Sequence, residues 1–129
     1  MATLETDIPA AGAAATQDTI VGEAPFDGTV TAASILPEAA VTGATATART
    51  FTLLNKGLAG IGTTSLATLV LITGNDMVAF DEKDMVLSVV ANALNVAKGD
   101  VIVLAETVAG GGTAHTGGKV KVEIVPRSV

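Results

Sequence analysis

The chain has 129 residues, enough for one domain and too few for two independent cores, and although 49% of them are hydrophobic only 2% are aromatic. Charged residues make up 16%, below the roughly one quarter usual for soluble domains, which excludes a wholly disordered chain and predicts a surface given over to interfaces. Seven Lys and Arg against thirteen Asp and Glu leave a net charge of -6, so a phosphate backbone would be repelled, and the absence of Cys excludes disulfides, thiolate nucleophiles and iron–sulfur clusters.

Residues 1–7 carry Glu5 and Asp7 and no basic residue, unlike a secretory signal, so synthesis in a cytoplasm is expected. Residues 1–19 are rich in Ala and Thr and pass through Pro9 into a run of Ala and Gly. They are expected to form an extended N-terminal arm held by a neighbouring subunit, with a helical stub over residues 10–17 as the alternative. Residues 20–129 then alternate short Val- and Thr-rich runs with Gly, Pro, Asn and Asp at the spacing of a two-sheet, all-β sandwich.

The Pro25-Phe26-Asp27-Gly28 turn introduces a strand over residues 28–36. Residues 49–55 alternate, with Phe51 and Leu53 opposite Thr50 and Thr52, and end at Asn55-Lys56-Gly57. Residues 65–73 are apolar on both parities, as a strand covered on two sides would be, and are far shorter than the ~20 residues of a membrane helix. Further strands are expected over residues 77–80, 85–90, 94–96 and 101–106, and the clearest lies over residues 119–125, where Lys119, Lys121 and Glu123 alternate with Val120, Val122 and Ile124. The expected core is Phe51, Leu53, Leu69, Leu71, Phe80, Leu87, Val101, Val103, Val120, Val122 and Ile124. About eight strands after residue 20 suit a jelly-roll-like arrangement.

Reactive motifs are near misses. The run from Gly110 to Lys119 lacks the spacing of a phosphate loop and leads into a strand rather than a helix, so a flexible hairpin loop is expected. Gly57, Gly60 and Gly62 miss the dinucleotide fingerprint. His115, the one imidazole, sits among Ala, Thr and Gly and is expected to be solvated, the alternative being packing against symmetry mates on a threefold axis. Asp81, Glu82 and Asp84, with Asp76 nearby, read as a solvated acidic loop, since Lys83 interrupts them and no calcium-loop glycine follows. No catalytic, cofactor-binding or metal-binding residue is therefore assigned, and no enzymatic activity is expected.

The segments from Ala24 to Val30, from Leu36 to Gly43 and from Arg49 to Gly57 resemble those of a family of small structural proteins of tailed phages. Similarity continues through Val78-Ala79-Phe80-Asp81, the run from Leu94 to Val101, and Gly117-Gly118. These are the head decoration, or minor capsid, proteins common in phages of actinobacteria. The resemblance implies a jelly-roll-like sandwich that forms homotrimers on the outer surface of the virion, binds the major capsid protein and has no active site, with neither nucleic acid nor membrane as partner. A receptor- or carbohydrate-binding β-sandwich on a virion or cell surface is the alternative, disfavoured by the lack of Trp and Tyr.

Overall fold

The computed structural model describes residues 1–127 and is all-β, built from two antiparallel sheets packed as a sandwich. The last two residues of the expected 20–129 domain lie outside the described residues. The first sheet contains β1 (Ala2–Ile8), β10 (Gly118–Pro126), β3 (Gly28–Pro37) and β6 (Lys83–Asp84) in that order, with β8 (Asn95–Val96) also paired to β3. The second runs β2 (Gln17–Glu23), β9 (Val101–Val108), β4 (Arg49–Asn55), β5 (Thr64–Val70) and β7 (Val86–Leu87). A single 3-10 turn, Thr45–Thr47, is the one helical element among the described residues.

Side chains of paired residues project to the same side of a sheet, so alternation along β10 sets the first face of the core. Val120, Val122 and Ile124 lie opposite Ile35, Ala33 and Val30 of β3, and all six are buried. From the second sheet, Phe51 and Leu53 of β4, Leu69 of β5 and Ile102 and Leu104 of β9 close the core from the other side. Single-residue bulges at Glu123/Ile124, Ile20/Gly22 and Leu53/Leu54 add local twist without losing this alternation.

The expected N-terminal arm is instead integral to the sandwich. β1 pairs with β10 along its whole length, from Ala2 opposite Ile124 to Ile8 opposite Gly118. The composition of residues 1–19 concealed a period-two pattern in which Leu4, Thr6 and Ile8 face inward and Thr3, Glu5 and Asp7 face water. Ile8 is buried, and Leu4 packs against the core beside Gly22. The helical stub is absent too: residues 9–16 form an irregular connection that includes a bridge from Ala11 to His115.

Two other expectations are corrected. Residues 77–80 supply one bridge, Met77 to Val41, and then turn, so Phe80 is 79% exposed rather than buried. Val78 points outward beside inward-facing Met77, and the turn that follows, with Phe80 in a left-handed backbone, carries the Phe80 ring outward as well. Residues 85–90 pair only as β7, which leaves Leu87 half-buried with Val89 and Val90 exposed, and outward-facing Val101 is half-buried as well. Val103 also faces outward but is covered by its neighbours Ile20 and Leu54.

Candidate functional site

The chemistry-bearing side chains gather inside the sandwich, at the end where residues 109–117 connect β9 to β10. Arg49 occupies the same inward parity of β4 as Phe51 and Leu53, and Glu106 the same parity of β9 as Ile102 and Leu104. Opposite charges are thereby carried into the core on adjacent strands, and neither side chain retains solvent exposure. Arg49 Nη1 lies 3.1 Å from Glu106 Oε1, its Nε donates to the Thr113 carbonyl at 2.7 Å, and its Nη2 donates to the Gly12 carbonyl at 2.9 Å. The second carboxylate oxygen accepts from Gln17 Nε2 at 2.8 Å.

His115 completes the cluster and is buried, not solvated. Its Nε2 lies 2.6 Å from Glu106 Oε1, while Nδ1 accepts the Gly117 amide at 3.0 Å. An acceptor at Nδ1 places the proton of the neutral ring on Nε2, so the imidazole donates to the carboxylate. The ring also packs on Phe51, with centroids 5.6 Å apart. It meets side chains of its own subunit, so the threefold-axis alternative does not describe it.

The glycine-rich loop is equally well tied down. Thr113 Oγ1 donates to the Thr47 carbonyl, Ala11 and His115 exchange backbone hydrogen bonds, and Gly112 adopts a left-handed backbone where a Cβ would overlap the Ala13 carbonyl. Glycine serves close packing here rather than the flexible hairpin loop expected from its abundance. Buried ion pairs of this kind hold a geometry at a high desolvation cost. Each polar side-chain atom of Arg49, Glu106 and His115 has a partner, and the carboxylate and imidazole are enclosed by protein.

The acidic residues are dispersed. Asp76 accepts the Gly43 amide at 2.6 Å, Glu82 pairs with Lys121 at 3.0 Å, and Asp84 sits in β6. The hydrogen bond from Lys121, helped by Ser34, holds the Glu82 carboxyl below the usual carboxylate range, and the same contact raises Lys121. Among the described residues, no three acidic or histidine side chains converge as a metal site would require. Gly57 and Gly60 take left-handed turn conformations between β4 and β5, and no helix follows them.

What remains for function is the surface, and the two sheets present contrasting outer faces. On the first, Glu5 and Asp7 of β1, Lys119, Lys121 and Glu123 of β10 and Asp84 of β6 alternate in sign. Lys119 lies 2.8 Å from Asp7 and 3.9 Å from Glu5. On the second, the outward rows are Glu23 and Val101, then Ile20, Val103, Leu54 and Ser65, then Asp18, Ala105, Thr52, Thr68 and Val86, then Thr107, Thr50 and Val70. The charges in these rows are Asp18 and Glu23, both on the β2 edge; Ile20 and Val86 are 68% and 73% exposed. No family model, curated protein or solved structure matches the chain.

Proposed function

We propose that this chain is a structural virion protein, a capsid decoration protein that binds the outside of an icosahedral phage head as trimers and cements it. The observation that carries this reading is the uncharged outer surface that β9, β4 and β5 form on the second sheet. Three adjacent strands, β9, β4 and β5, present only apolar residues, Thr and Ser to solvent there, on a chain with net charge -6. A face of this kind suits permanent contact with copies of the same chain, because contiguous exposed apolar surface marks an interface and identical chains close it by cyclic symmetry. The carboxylates on the other face suit the exterior of a head rather than its DNA-filled interior. The resemblance of residues 20–127 to phage decoration proteins supplies the capsid as partner, and a jelly-roll-like connectivity belongs to the same proposal.

Sedimentation equilibrium at micromolar concentration tests self-association, and co-pelleting with undecorated actinobacteriophage heads tests attachment. The expected results are a trimer and saturable pelleting, both lost in a variant carrying Ile20→Lys and Val86→Lys. A monomer that never pellets with heads would overturn the proposal, and specific hits on a glycan array would favour a carbohydrate-binding module.

A further inference from the structure

A second surface lies on the opposite sheet and is independent of the proposed self-association face. Phe80 is held with its backbone in the left-handed region, at φ 61°, by a hydrogen bond from its amide to the Pro37 carbonyl. Bulky residues seldom adopt that conformation, and Phe80 gains no burial from it, being 79% exposed. The ring forms a wall of a shallow depression of about 150 Å³, floored by Leu36 and Pro37 and rimmed by Asp7, Glu38, Gly118 and Lys119. That volume is below the ~300 Å³ at which small-molecule pockets begin, and it accommodates one side chain.

The charges around it select the occupant. A neighbouring depression shares Leu36 and Lys119 and adds Glu5, Ser34, Glu82 and Lys121, so the continuous groove holds four carboxylates against two lysines. Both lysines are engaged, Lys119 with Asp7 and Glu5, and Lys121 with Glu82. Glu38, on the rim beside Phe80, has no cationic partner among the described residues. An exposed aromatic ring next to an unpaired carboxylate matches a planar guanidinium, which stacks on one while hydrogen-bonding the other.

We propose that this depression seats an arginine side chain of a protein partner, stacked on Phe80 and paired with Glu38. Aromatic anchors beside desolvated charge pairs are the residues on which interface affinity concentrates. The probe is N-acetyl-arginine methylamide, titrated into the full chain and followed by amide NMR, with N-acetyl-citrulline methylamide and N-acetyl-norleucine methylamide as neutral controls. The expected result is saturable shifts confined to Leu36, Glu38, Phe80 and Gly118, with both controls at least ten-fold weaker. Phe80→Ala should abolish the response and Glu38→Gln should weaken it about five-fold, each with an otherwise unchanged spectrum.

Equal binding of citrulline or norleucine, shifts scattered over the acidic surface, or an unaltered response in Phe80→Ala would overturn the proposal. A loss of self-association in Phe80→Ala would also overturn it, because the occupant would then be a second copy packing by apolar contact. Monomeric behaviour of the native chain, in contrast, would count against the capsid reading and leave arginine binding to be decided by the titration.

Discussion

Arg49 is the largest side chain in the protein without solvent exposure, and its worth depends on Glu106 staying beside it. Removing one member of a buried ion pair strands the other, so Arg49→Met is expected to destabilise the fold by about 3–5 kcal/mol, measured by urea unfolding. The double variant Arg49→Met with Glu106→Leu should recover part of that loss, because no bare charge is then left in the core. Phe80 presents the reverse case. Phe80→Ala should change stability by less than about 0.5 kcal/mol, whereas Phe80→Gly should leave it unchanged or raise it by up to about 1 kcal/mol, since glycine accepts the left-handed backbone. The buried cluster was partly legible: Arg49 and Glu106 occupy the parity of Phe51, Leu53, Ile102 and Leu104, and opposite charges on the inward parity of two strands signal a core pair. His115 gave no such sign, because its burial follows from Arg49 and Ala11 drawing the connection inward, a long-range effect that local composition does not carry.

Among the elements, β4 and β10 were readable because half-buried antiparallel strands alternate visibly, and both lie close to their expected bounds. β1 escaped notice because Thr and Ala can occupy either face, leaving Leu4 and Ile8 as the only strong inward markers. Its contribution is testable: Ile8→Ala should cost about 2–5 kcal/mol, as other buried aliphatic truncations do. Deleting residues 1–16 should lower the melting temperature and promote aggregation, since β10 would become a bare edge. The edge strand β6 is secured by Glu82 and Lys121, and the lowered carboxyl contributes stability above the ordinary Glu value of 4.5 that is lost as pH falls through the lowered one. Below about pH 4.5, exchange of the Met85 amide, bonded to the Ala33 carbonyl, should therefore accelerate relative to that of β9, once each is normalised to its intrinsic rate, and Glu82→Gln should remove the difference.

At the scale of the whole molecule, the contrast between the two outer faces separates two kinds of contact. Association through the uncharged surface of β9, β4 and β5 on the second sheet should persist at about 0.5 M salt, because there is little Coulomb attraction across it to screen. Arginine binding beside Phe80 should weaken over the same range. Sedimentation and NMR titration at matched ionic strengths would show the two responses diverging, and parallel losses would mean that both faces act electrostatically. The contrast was only half visible in the sequence: Lys119, Lys121 and Glu123 mark a wet face at once, but the uncharged one emerges only when the register aligns Ile20, Val103 and Leu54 across three strands.

The pairing of β1 with β10 also sets an order of events during synthesis. Asp7 and Lys119, which meet across that ladder, are 112 residues apart, so β1 leaves the ribosome well before its partner and pairs with it only after those intervening residues have been made. Until then Leu4 and Ile8 have no β10 to pack beside, and the first sheet cannot close. The small residues of the 9–16 connection keep the waiting segment poor in adhesive side chains. Loop closure over such a distance makes the last step of folding slow, and during that interval the exposed edge of β10 depends on a strand translated long before it.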